Sequence, residues 1–164
     1  MANINDQAPE FLDFMFEGLD HGIFSISDAG GPLTPFLMTQ TGDQKELKRF
    51  VTERLEDGIT NAEIILTSMS DKPAYALIAF DGFINWENKK CDAIIVKAFD
   101  KTQDEGFQFY QRYVPKSDGS EGIEPIGNPG VLGKTPNLLL AIVNHNIQPN
   151  KGRAALSAFV AFGS

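Results

Sequence analysis

An apolar pattern with helical spacing opens the chain, over residues 6–20. The side chains on its main apolar face recur every three or four residues: Phe11, Leu12, Met15 and Leu19. This spacing predicts a helix, with Asp6 as its cap and Gly22 just past its end. Phe14 and Phe16 fall outside the face. A helix that is apolar on more than one side is either deeply buried or in contact with a second chain.

Residues 22–41 contain two extended apolar runs separated by a turn. Ile23, Phe24 and Ile26 form the first run, and the cluster Ala29-Gly30-Gly31-Pro32 follows it. Glycine and proline in such a cluster mark a turn. The second run covers 36–41, so two strands are predicted here.

A second helix is predicted over residues 43–58. Asp43 and Glu46 have the spacing of a capping box, and Gly58 is a typical helix end. One face carries the apolar side chains, which are Leu47, Phe50, Val51 and Leu55. Charged residues occupy the other positions, which is typical of a surface helix lying on a sheet.

Four extended runs dominate the middle of the chain, over 62–68, 74–86, 91–100 and 107–114. Short polar segments connect them, and a parallel crossover needs a dozen or more residues, so consecutive strands are predicted to be antiparallel. The predicted fold is an α+β domain spanning residues 1–164. A twisted antiparallel meander over 62–114 carries the two helices, 6–20 and 43–58, on one face. The middle strands are apolar on both faces, so the second face is a candidate dimer surface.

The C-terminal part of the chain predicts its secondary structure less clearly than the middle does. Residues 115–136 are rich in glycine and proline and are predicted as a loop region. The apolar stretch 137–146 suits a buried strand or a buried helix equally well. The uncharged stretch 154–164 is expected to pack against the rest of the chain, since it would otherwise form an exposed apolar tail.

The segment GNPGVLGKT, residues 127–135, resembles a phosphate-binding loop but lacks its spacing. The G-x-x-x-x-G-K-[ST] pattern requires a glycine at the position of Asn128. Pro129 also removes a backbone N–H that could contact phosphate. The segment is therefore interpreted as a glycine-rich loop with an exposed lysine, and not as a nucleotide site.

Metal-binding and nucleophilic residues are sparse. His21 and His145 have no second ligand at a typical metal-site spacing. His21 sits at a predicted helix C-terminus, where a positive charge is favourable. Lys89 and Lys90 could lower the pKa of Cys91, but a small buried cysteine is the more common reading. No catalytic residue, metal site or cofactor is predicted.

Polar and aromatic residues inside the meander are the best candidates for a ligand site. The candidate residues are Asp81, Trp86, Asp92, Tyr110, Arg112 and Tyr113. If the strands are neighbours, Arg112 can pair with Asp81 or Asp92 and fix the strand register. The same residues can instead form a polar wall with flat aromatic contacts in a ligand pocket.

The composition and net charge of the chain disfavour some classes of binding partner. The 164 residues carry a formal net charge of −8, which repels nucleic acid and anionic lipid. One cysteine excludes an intrachain disulfide, and no signal peptide or membrane span is evident, so a cytoplasmic location is expected.

Two functional hypotheses remain. The first is a non-enzymatic binding or regulatory protein that acts as a homodimer, or another homo-oligomer, or on a protein partner. The alternative is a small-molecule-binding protein or enzyme with a pocket at Asp81, Asp92, Tyr110 and Arg112.

Overall fold

A computed structural model describes residues 4–140, apart from the side chain of Asn5. Two α-helices are present, α1 (Pro9–Ser27) and α2 (Leu55–Ser68), with short 3-10 turns at Ile4–Asp6 and Leu138–Leu140. Seven strands complete the described part: β1 (Phe36–Thr41), β2 (Gln44–Arg49), β3 (Tyr75–Trp86), β4 (Lys89–Asp100), β5 (Glu105–Pro115), β6 (Ile123–Pro125) and β7 (Gly130–Pro136).

The strands form one curled antiparallel sheet in the order β2-β1-β3-β4-β5, and both β6 and β7 pair with β5. The long β3–β4 hairpin is its centre and pairs continuously from Tyr75↔Asp100 to Trp86↔Lys89. Glu87 and Asn88 join the two strands with φ of 51° and 65°, the left-handed values that a tight two-residue hairpin turn requires. The predicted α+β class with a mainly antiparallel sheet is confirmed.

The two helices cover opposite faces of the sheet. Side chains of β3 alternate, so Leu77 and Ala79 pack with α1 while Ile78 and Phe80 pack with α2. The prediction that both helices share one face is therefore wrong. The middle strands are apolar on both sides because each side has its own covering helix, and the face proposed as a dimer surface is occupied by a helix.

Helix α1 is longer than predicted. The run at Ile23, Phe24 and Ile26, expected as a strand, belongs to this helix. Gly22 does not end the helix, which continues to Ser27, and this glycine is buried beside side-chain atoms of Leu33 and Ile94. Asp6 does not cap the helix, whose N-cap is Ala8 without a side-chain hydrogen bond.

The second helix was predicted over residues 43–58, and these bounds are wrong. This segment contains strand β2, and α2 begins only at Leu55. The run 62–68, predicted as the first strand of the meander, is helical, so the meander starts at Tyr75. Apolar residues of α2 such as Ile59, Ala62 and Leu66 are buried at helical spacing. Isoleucine and threonine suit strands locally, but packing against the sheet favours the helix.

Residues 115–136, predicted as a loop region, contain β6 and β7. The phosphate-loop look-alike runs into β7, which is hydrogen-bonded to β5 and not wrapped around an anion site. Of the stretch 137–146, Leu138–Leu140 form a 3-10 turn. Residues 141–146 and the apolar stretch 154–164 lie outside the described residues.

Candidate functional site

The six predicted site residues do not form one cluster. Strand register pairs Asp81 with Ile94, which in turn pairs with Gln111, whereas Arg112 pairs with Ala93. Because neighbouring residues of a strand point to opposite faces, the set divides in two. Asp81, Asp92 and Tyr113 lie on the α1 side of the sheet, and Trp86, Tyr110 and Arg112 lie on the α2 side. The pairing of Arg112 with Asp81 or Asp92, expected from the sequence, is therefore not formed.

Asp81 and Tyr113 form a closed hydrogen-bonded cluster on the α1 side. The Tyr113 hydroxyl donates to the Asp81 carboxylate at 2.8 Å, and the backbone N–H of Leu33 donates to it at 2.7 Å. Burial raises the pKa of Asp81, and these two hydrogen bonds partly offset that effect. Burial and the neighbouring Asp81 also raise the pKa of Tyr113. The cluster ties β3 and β5 to the segment that leads into β1.

Arg112 and Trp86 form a cation–π stack on the α2 side. The guanidinium carbon lies 3.8 Å from the centre of the indole ring, and Trp86 is 40% exposed. This contact joins β5 to the end of the β3–β4 hairpin and brings together two of the six candidates, although the sequence predicted an aspartate as the partner of Arg112. The stack presents a flat aromatic surface and a cation to solvent at one place.

Asp92 and Tyr110 join neither pair. Asp92 is exposed, near enough to Asp81 to favour the protonated form of that carboxyl. Tyr110 packs against the α2-side core and fills the space above Gly130, where a Cβ would lie 2.4 Å from its hydroxyl oxygen.

A buried charged pair that the sequence prediction missed lies between α2 and the sheet. Glu63 is fully buried and Lys97 of β4 is 1% exposed. Burial raises the pKa of Glu63 to about 7, and attraction by Lys97 offsets part of this effect. Burial lowers the pKa of Lys97. Both Glu63 carboxyl oxygens are buried with no hydrogen-bond partner in the described part of the chain. The sequence contained one signal for this pair, a single charged residue inside each of two apolar runs, NAEIIL and IIVKAF.

A second missed feature is a surface that we name the α1–β2 face, made by Glu17, His21, Phe24, Lys45, Leu47, Arg49 and Val51. The Lys45 ammonium contacts the Glu17 carboxylate, and Arg49 Nη2 lies 2.9 Å from His21 Nε2. Phe24 follows His21 by one helical turn, and Val51 lies two residues beyond Arg49. These two apolar side chains are 78% and 85% exposed, the highest values among the large hydrophobic residues described.

Concave surface is limited around the predicted residues. One depression of about 140 Å³ is lined by β1, β2 and the segment before β3, and another of about 360 Å³ by Gln7 and the β4–β5 connection. None of the six predicted residues lines either of them. Lys134 of the glycine-rich segment lies 3.4 Å from the Glu105 carboxylate.

The residues of types that bind metal ions are also dispersed. No group of three or more histidine, cysteine or acidic residues that could hold a metal ion occurs within residues 4–140. His21 packs edge-on against Phe36, and its burial, with the charge of Arg49, lowers its pKa. Cys91 is a half-buried free thiol.

No family model, curated protein or solved structure matches this chain. None of its described helices combines the length and the apolar character needed to cross a membrane.

Proposed function

We propose that this protein is a non-enzymatic binding protein that self-associates as a homodimer through the α1–β2 face. The observation that carries the proposal is the high exposure of Phe24, one helical turn beyond His21, and of Val51, two residues beyond Arg49, where His21 and Arg49 are themselves in contact. Leu47 lies between Lys45 and Arg49 on the same side of β2 and is 38% exposed. Apolar side chains grouped in this way and surrounded by polar ones are typical of a protein–protein interface.

Charge favours a second copy of this chain as the occupant. The outer side of α1 carries the acidic residues Asp13, Glu17 and Asp20, which lead along the helix to Phe24. On this side strand β2 carries the basic residues Lys45 and Arg49, whereas Glu46 and Lys48 lie on its other side. A two-fold axis through this face would bring the acidic helix of one protomer onto the basic strand of the other.

The alternative of a single small-molecule pocket at Asp81, Asp92, Tyr110 and Arg112 has less geometric support. Asp81 already accepts hydrogen bonds from the Leu33 N–H and the Tyr113 hydroxyl, and Arg112 lies on the other side of the sheet. An assembly surface therefore accounts for more of the exposed side chains than a pocket does.

Mass measurement at graded protein concentration tests the proposal. We expect sedimentation equilibrium to show twice the 18.0 kDa chain mass, with dissociation favoured by high salt because salt screens the helix–strand attraction. The double variant F24S/V51S should raise the dissociation constant by about 100-fold or more, since burying each such side chain contributes roughly 1.5–3 kcal/mol.

A matched control distinguishes this face from general surface hydrophobicity. Leu132 of β7 is 41% exposed, so Leu132→Ser removes exposed apolar surface elsewhere and should leave the dimer unchanged. A monomer at all concentrations, or a dimer that F24S/V51S does not weaken, would contradict the proposal.

A further inference from the structure

The Arg112 guanidinium is held in place but has no acidic partner among the residues that the structure describes. Its Nε is buried with no hydrogen-bond acceptor in the described part of the chain. None of the ion pairs among residues 4–140 involves Arg112. An unpaired buried donor on a charged group costs about 1–3 kcal/mol or more, and an acceptor that reached it would remove this cost.

The backbone of Ile126 and Gly127 packs close to Arg112 and is held there by hydrogen bonds. Gly127 has φ of 73°, and a Cβ at this position would lie 2.5 Å from Arg112 Nη2. The side-chain amide of Gln111, itself buried, donates to the carbonyl oxygens of Ile126 and Gly127, each at 3.1 Å. The Ile126 N–H donates to the Arg112 carbonyl at 2.9 Å. Gly127 and Trp86 therefore confine the guanidinium from two directions.

We propose that Arg112 and Trp86 form a binding site for a small carboxylic acid with a flat apolar body. A carboxylate matches the planar set of donors on a guanidinium, with two parallel hydrogen bonds. The exposed part of the indole offers the surface on which the flat body packs. A singly charged acid also meets less repulsion from a chain of net charge −8 than a phosphate does.

The site is independent of the proposed dimer. The α1–β2 face lies at the β2 edge of the sheet, on the α1 side, whereas Arg112 lies on β5 on the α2 side. Loss of one function would therefore leave the other measurable.

Intrinsic fluorescence tests the site directly, since Trp86 is the only tryptophan of the chain. We expect sodium benzoate, titrated at constant ionic strength into the full chain, to change the emission saturably with a Kd of about 1 mM. Benzamide has the same shape without the charge and should give no saturable change. Inorganic phosphate should bind more weakly than benzoate.

Two substitutions assign the response to Arg112. Arg112→Gln should weaken benzoate binding about tenfold or more, and Arg112→Lys should weaken it as well because lysine keeps the charge but not the planar set of donors. Lys90→Gln is the control, since Lys90 stacks on Phe83 in a separate cation–π contact 3.7 Å from the ring. Circular dichroism of each variant confirms its fold. Equal binding of benzamide, equal or tighter binding of phosphate, or wild-type affinity in both Arg112 variants would overturn the proposal.

Discussion

Glu63→Gln is expected to change the pH dependence of folding. The carboxyl is fully buried, and its pKa rises from 4.5 to about 7 on folding, mainly through burial. A folded pKa above the unfolded value means that the stabilisation is complete below pH 4.5 and is lost as the pH rises through 7. At about 1.4 kcal/mol for each pKa unit, ionised Glu63 costs the fold roughly 3 kcal/mol.

Glutamine has the shape of the protonated acid and cannot ionise, so the variant does not lose this stabilisation as the pH rises. We expect the free energy of unfolding of the wild type to fall by about 2.5 kcal/mol more than that of Glu63→Gln between pH 5 and pH 8. Attraction by Lys97 is already included in the raised pKa, because it acts against the effect of burial.

Urea denaturation at several pH values provides the measurement, at one fixed protein concentration because association also stabilises the fold. The control is Glu53→Gln, since Glu53 is an exposed carboxyl shortly before α2. A difference between wild type and Glu63→Gln that stays constant from pH 5 to pH 8 would refute the reasoning.

Two further predictions concern stability and are measured by thermal or urea denaturation. Tyr113→Phe removes the hydroxyl that donates to the half-buried Asp81 carboxylate and should cost about 1–3 kcal/mol, and a cost near zero would show that this contact is not a structural tie. Gly122→Ala should cost more than about 2 kcal/mol, because φ is 106° and a Cβ would lie 1.9 Å from the Ser27 carbonyl oxygen. Gly119→Ala, with φ of 82° and open space around it, should cost only about 1 kcal/mol, and equal costs at the two glycines would contradict the steric argument.

The central hairpin was predictable because its signals were local. Residues 74–86 and 91–100 are long apolar runs with a polar tetrapeptide between them, and both became strands of the expected direction. Strand β1 was also predicted with its observed bounds, Phe36–Thr41.

The helix and strand errors arose where packing outweighs local preference. Gly22 suggested a helix end, but it is a buried position inside α1 that packs beside Leu33 and Ile94. The charged segment 44–49 has helical spacing and forms an edge strand instead, because it pairs along the whole of β1.

The candidate site was only partly predictable for a related reason. Residue types indicated Arg112 and Trp86 as candidates, but their mutual contact and the strand register that separates Arg112 from Asp81 depend on long-range pairing. Glu63 and Lys97 meet only because a helix, not a strand, covers that side of the sheet.

Amide hydrogen exchange at low and high protein concentration tests the proposed assembly most directly. The account predicts that protection increases with concentration over residues 17–25 of α1 and 45–51 around β2, and stays unchanged at the Trp86–Arg112 stack. Concentration-dependent protection centred on β5 to β7, or no dependence on concentration while the chain is dimeric by mass, would contradict it.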